Sequence, residues 1–174
     1  FPYTTLFRSA CKNFLPAQTK TSRSSGFSTN TDGSHITNPN SDTMAEVMKE
    51  ALKSANISAK EVGYINAHGT GTKFGDIAES QATNLIFGKN KPISSIKSYT
   101  VHTLGACGAI EVILSVMMMN NNWFCPTLNL NNVDLECAEL DYIVKTSREF
   151  ETEFIMTNNF AFGGINTSII LKRV

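Results

Sequence analysis

The chain has 174 residues, of which 41% are hydrophobic and only 17% charged, against roughly 25% charged in an average globular domain. Fifteen Lys and Arg balance fifteen Asp and Glu, so no basic field exists to hold nucleic acid or an anionic membrane by counterion release. The mean hydropathy of −0.11 belongs to a core-forming chain rather than a disordered one, and the sparse charge leaves surface for burial against something else.

Residue 1 is Phe, and the opening Phe1 to Ser9 resembles the translation of a common sequencing adapter. Residues 1–9 are set aside as adapter-derived, and the rest is read as a piece of a longer protein. Residues 10–25, rich in Lys, Thr and Ser without a period, predict a weakly ordered segment. Residues 26–39 predict a polar loop around His35. Thr43 with Glu46 three residues on is a capping-box pattern, and Met44, Val47, Met48, Ala51, Leu52 and Ala55 follow at the spacing of an amphipathic helix. A short apolar strand is predicted over 62–67, ending at His68. Asp76 and Glu79 form a second capping pair, opening a helix through Ile77, Ala78, Ala82, Leu85 and Ile86 to Gly88.

A strand over 92–96 ends at Lys97. Residues 103–120 have almost no polar face and predict a helix covered on nearly all sides. The apolar run is shorter than the ~20 residues a bilayer span needs, and Glu111 interrupts it. Strands over 142–145, 154–158 and 166–172 complete a layered α/β or α+β domain without internal repeats. The four cysteines, Cys11, Cys107, Cys125 and Cys137, form no C-x-x-C pair and no zinc-like spacing, which implies a reducing, cytoplasmic setting and no metal.

Chemistry concentrates just past the strand ends. His68 stands in Asn-Ala-His-Gly-Thr-Gly-Thr and His102 closes Lys-Ser-Tyr-Thr-Val-His. In α/β folds the carboxyl ends of neighbouring strands converge on a crevice where ligands bind, so the two imidazoles and Lys97 can meet there. Imidazole N–H groups donate to an oxyanion, and a nearby cation tunes them. On spacing alone, two packed loop histidines are the stronger reading. The Gly69-Thr-Gly71 turn does not make a dinucleotide loop, because the next glycine, Gly75, falls one position late and the following strand ends at Lys97 instead of a carboxylate.

Six motifs then run in one order: Asn66-Ala-His-Gly-Thr-Gly-Thr72, Gly75-Asp76, Lys97 five residues before His102, Leu-Gly-Ala-Cys-Gly-Ala, Pro126-Thr-Leu-Asn-Leu and Asn159-Phe-Ala-Phe-Gly-Gly164. Together they resemble the C-terminal half of a β-ketoacyl-[acyl-carrier-protein] synthase. The resemblance covers 26–174 and implies a thiolase-like α/β half, a mixed sheet layered with helices around one central buried helix. It implies a decarboxylative Claisen condensation in fatty-acid or polyketide assembly, with an acyl chain held on a cysteine and malonyl-carrier protein as the second substrate. By resemblance, His68 and His102 stabilise the enolate and Lys97 organises them through Glu111 and Asp76. Thr37, Thr70 and Thr72 line the phosphopantetheine arm. Phe162, with Phe160, Gly163 and Gly164, forms a gate, although plain packing of Phe162 is an equal alternative. His35 is read as ordering its loop or as a catalytic side chain.

The implied partners are acyl carrier protein, the missing N-terminal half and a second subunit in a homodimer or heterodimer. No cofactor is implied beyond the carrier's phosphopantetheine. The alternative function is that of a non-catalytic chain-length partner subunit. Three departures from the family pattern stand out. Val101 replaces the usual glycine before His102 and threatens its geometry, since a β-branched residue resists positive φ. Ala161 replaces a gate glycine and is expected to stiffen that loop. The nucleophilic cysteine lies outside this half, and Cys107 is a small buried residue near a helix start rather than its substitute.

Overall fold

The computed structural model describes residues 22–33 and 39–174; Thr37 and His35 lie outside the described residues. A six-stranded mixed sheet organises them: β1 (Ser22–Thr31), β2 (Val62–Asn66), β3 (Pro92–Ser94), β5 (Asp141–Tyr142), β7 (Phe154–Ala161) and β8 (Ile165–Arg173), in spatial order β1-β8-β7-β2-β3-β5. The β1–β8 and β7–β8 pairs are antiparallel. The pairs β7–β2, β2–β3 and β3–β5 are parallel, so those strands end on the same edge. A two-residue pair, β4 (Trp123–Phe124) with β6 (Arg148–Glu149), stands apart.

Helices cover both faces. Alternation along the strands sorts the core into two layers, because successive side chains point to opposite faces. Val62, Ile65, Phe154, Met156 and Ile170 pack with Met44, Val47, Met48 and Ala51 of α1 (Ser41–Ala55) and with Ala78 and Ala82 of α2 (Lys73–Phe87). Tyr64, Ile155 and Leu171 point the other way, onto Met118 and Met119 of α4 (Cys107–Asn120) and onto Phe124. The one-turn helix α3 (Lys97–Thr100) and a 3₁₀ turn (Leu104–Ala106) link β3 to α4.

Several expectations change. Ser22–Thr31 is a strand, not the weakly ordered segment and polar loop predicted there. Its backbone pairs with β8 from Ser22↔Arg173 to Thr31↔Ile165, and its small polar side chains carry no apolar alternation to betray it. The cap of α1 is Asn40, whose side chain accepts from the amides of Asp42 and Thr43; the Thr43–Glu46 box sits one turn inside the helix. Likewise α2 starts at Lys73, ahead of Asp76 and Glu79, and its N-cap Thr72 makes no side-chain cap bond. The apolar α4 is covered on one side only: Cys107, Glu111, Ser115, Met118 and Met119 are buried, while Ile113 is 58% exposed. The described residues do not supply the covering expected all round.

Candidate active site

The parallel strands β2 and β3 deliver the site. Their last rungs pair Ile65 with Ile93 and Asn66 with Ser94, and the Ala67 amide donates to the Ser94 carbonyl at 2.9 Å. Past that point the continuation of β2 carries His68 and that of β3 carries Lys97 and His102. The two imidazoles meet edge to face, 5.4 Å between ring centres, and the buried Phe160 of β7 lies 6.1 Å from His68. Burial pushes His68 down to about 3, helped by the positive charge of Lys97 and by His102, so its ring is neutral at ordinary pH.

Lys97 is itself buried, and its Nζ donates to Glu111 Oε1 at 2.6 Å. Two charges removed from water need such a partner, because an unpaired buried ion costs several kcal/mol. The expected second partner bonds elsewhere. Asp76 Oδ1 accepts from the Gly71 amide at 3.2 Å, and no ion pair joins it to Lys97 among the described residues. Burial raises its carboxyl above the ordinary range, opposed by the amides of Gly71, Thr72 and Thr70.

The carboxylate near Lys97 that sequence reasoning missed is Glu79. It is buried in α2 and accepts from the amides of His68 and Gly69, both at 2.8 Å. Burial lifts it to about 7, opposed by those two amides and by the charge of Lys97. Its signal was present in the sequence. Glu79 lies on the helical stripe of Ala82, Thr83 and Ile86, and an acid on a buried stripe needs a buried partner.

A cavity of about 720 Å³ opens beside these groups, lined among others by Thr70, Thr72, Lys97, Val101, His102 and Tyr142. Thr70 and Thr72 hydroxyls stand 3.0 Å apart. Val101 does adopt the conformation its side chain resists, φ 61 and ψ 171, and His102 stays beside His68. The deviation is held in the backbone of Val101. Ala161 lies at φ −86 and ψ 165, extended backbone open to any residue, so its replacement of glycine costs the loop nothing. The freedom of that loop rests on Gly163 and Gly164, at φ 77 and 73, where a side chain on Gly164 would run into the Asp32 carboxylate. Phe162, the residue before them, is 73% exposed and packs into no core among the described residues. Cys107 is buried at the first position of α4, as expected of a small packing residue.

Among the described residues no group of three His, Cys, Asp or Glu is arranged to hold a metal ion, and no helix is long and apolar enough to cross a membrane. The fold is that of a thiolase-like half, with the paired histidines at adjacent parallel strand ends. The chain belongs to the family described as β-ketoacyl synthase, C-terminal domain, which it matches over residues 22–131. It is 40% identical over 154 residues to the 3-oxoacyl-[acyl-carrier-protein] synthase 2 of Coxiella burnetii, covering 86% of this chain and 37% of that protein. The crystal structure of a β-ketoacyl synthase from Burkholderia phymatum superposes with TM-score 0.87 at 54% identity, covering 88% of this chain and 38% of that one. A ketosynthase in complex with its chain length factor from Xenorhabdus doucetiae gives TM-score 0.82 at 36% identity, over 90% and 40%. The chain thus spans little more than a third of the length of the proteins it matches.

Proposed function

We propose that the chain supplies the malonyl-activating half of a decarboxylative condensing site. The observation that carries this reading is the His68–His102 pair beside the buried Lys97–Glu111 ion pair, at the edge of a cavity that also exposes Thr70 and Thr72. A malonyl thioester placed with its carbonyl oxygen toward the imidazoles loses carbon dioxide. The bond to the carboxylate breaks, its electron pair becomes the enolate, and the two N–H donors hold the enolate oxygen. Neutral His68 suits this role as a donor through its one ring N–H. The enolate carbon then attacks an acyl thioester on a cysteine that lies outside this chain, expelling the thiolate and leaving a 3-ketoacyl product.

The pantetheine arm runs past Thr70 and Thr72, with Thr37 as a third contact, and Phe162 with Phe160, Gly163 and Gly164 gates the acyl path. Acyl carrier protein as the substrate's bearer follows the name of the Coxiella relative. The whole protein works in the cytoplasm on fatty-acid or polyketide chains, as a homodimer or heterodimer, with no cofactor of its own, and the isolated chain carries out no condensation.

A non-catalytic chain-length partner is the second reading, favoured by the Xenorhabdus complex. Retention of His68, His102 and Lys97 favours the enzyme. The test is a chimera in which this chain replaces the matching segment of the Burkholderia phymatum synthase, assayed for carbon dioxide released from malonyl-pantetheine. Removing either imidazole, by His68→Ala or His102→Ala, lowers the rate by ~10²–10³. Unchanged release in both variants overturns the reading. Source DNA read upstream in frame separates synthase from partner: cysteine at the strand-to-helix turn means the first, glutamine the second.

A further inference from the structure

We propose that Ser95 is a positioning residue that clamps the two histidine-bearing loops together past the end of the sheet. The last backbone rung between β2 and β3 is the bond from the Ala67 amide to the Ser94 carbonyl. Beyond it the loops have no ladder to hold them, yet the rings of His68 and His102 must face one another across the gap. Ser95 provides the missing rung with its side chain: its Oγ donates to the Gly69 carbonyl at 2.9 Å.

Its backbone is engaged as well. The Ser95 amide donates to Thr127 Oγ1 at 3.0 Å, and its carbonyl accepts from Ser98 Oγ at 2.8 Å. The Ser98 hydroxyl in turn accepts from the Leu128 amide at 2.9 Å, so residues 127 and 128 grip the same turn from outside. All three polar groups of a residue only 6% exposed are therefore satisfied.

The fit to Gly69 is close. Gly69 lies at φ +39, and a Cβ built there would sit 2.7 Å from Ser95 Cβ and 2.8 Å from its Oγ. Gly69 is held at both ends, its N–H by Glu79 and its C=O by Ser95. Glu79 anchors His68 to α2, and Ser95 anchors the residue after His68 to the segment that continues into Lys97 and His102. Without Ser95 Oγ a part-buried carbonyl loses its donor, and the loop can drift. A misplacement of ~1 Å is enough to cost ~100-fold in rate.

The catalytic consequence rests on the malonyl-site reading above; the geometric claim is tested independently of it. The full chain is labelled with ¹³C and ¹⁵N at histidine and followed by NMR from pH 7 to 4.5. In the parent chain the His68 and His102 rings show a mutual nuclear Overhauser effect, and His68 stays neutral throughout. Ser95→Ala is expected to lose the ring-to-ring effect and to bring the His68 midpoint up into that pH range, a rise of more than one pH unit. Ala51→Gly, a destabilising change in the buried face of α1, is expected to leave both signals alone. A Ser95→Ala chain with parental ring contact and titration overturns the proposal, as does an Ala51→Gly chain that moves them equally. If Ser95→Ala does not fold, Ser95→Cys keeps a side chain of similar size but replaces the hydroxyl donor with a weak one, and unchanged ring signals there are equally fatal. Failure of the chimera to release carbon dioxide would sink the malonyl reading while leaving these ring signals to decide the role of Ser95.

Discussion

Two buried groups on the same loop should oppose one another in the dependence of stability on pH. Burial holds His68 at about 3 in the folded chain against 6.5 for a free side chain. Its contribution is therefore present above 6.5 and is lost as pH falls through that range. Burial holds Glu79 at about 7 against 4.5, so its contribution is present below 4.5 and is lost as pH rises toward 7. Each pH unit of displacement is worth about 1.4 kcal/mol, which makes the full spans about 5 kcal/mol for His68 and about 3 kcal/mol for Glu79. Between pH 4.5 and 6.5 the two slopes have opposite sign and similar size, and they largely cancel. Replacing Glu79 by Gln exposes the histidine slope, and stability falls by about 3 kcal/mol on going from pH 6.5 to 4.5 relative to the parent. Replacing His68 by Gln exposes the carboxylate slope, and stability rises over the same interval. Urea unfolding at half-unit pH steps for the three chains measures both differences directly. Parallel curves, with differences that do not change with pH, would show that neither group titrates abnormally and would refute the reasoning.

Val101→Gly relieves a β-branched residue at φ 61 whose side chain is 74% exposed. The strain recovered, of order 1–3 kcal/mol, exceeds the entropy cost of glycine, so the urea midpoint should rise by about 0.5 M. Val101→Ala keeps the disfavoured φ and should show no such gain; equal midpoints for both variants would point away from strain. Glu111→Gln leaves Lys97 buried without a countercharge and should cost about 3–5 kcal/mol in urea unfolding, whereas the pair Lys97→Met with Glu111→Leu should recover most of that loss. A double variant as unstable as the single one would contradict this account of the ion pair.

The sequence was most legible where periodicity and chemistry coincide. Helices α1 and α2 and strands β2, β7 and β8 show their buried faces as apolar repeats, and the motif order places His68, His102 and Lys97 at one crevice. What it hid has physical causes. In β1, Phe27 is the one large apolar side chain and it is mostly exposed, so the strand is held by backbone pairing with β8. There α1 approaches closely enough that a Cβ on Gly26 would sit 2.5 Å from the Ala51 carbonyl oxygen. Glu79 and Asp76 have the spacing of a cap, but α2 begins three residues before Asp76, which turns both acids back onto the amides of the preceding loop.

The missed role of Glu79 leads back to Lys97. A buried ammonium is tolerable because Glu111 pairs with it, yet its field extends past that pair: it lowers the proton affinity of His68 and of Glu79 alike. For the histidine this reinforces burial and keeps the ring neutral. For the carboxylate it opposes burial and keeps a fraction ionised, strengthening the bonds that Glu79 accepts from the amides of His68 and Gly69. One cation thus sets the protonation of one imidazole and firms the anchor of the loop that carries it. Moving the ion pair outward by one helical turn would weaken both effects at once. That dual dependence accounts for placing a buried acid on α4, a helix otherwise built of apolar side chains, at the single turn that faces Lys97.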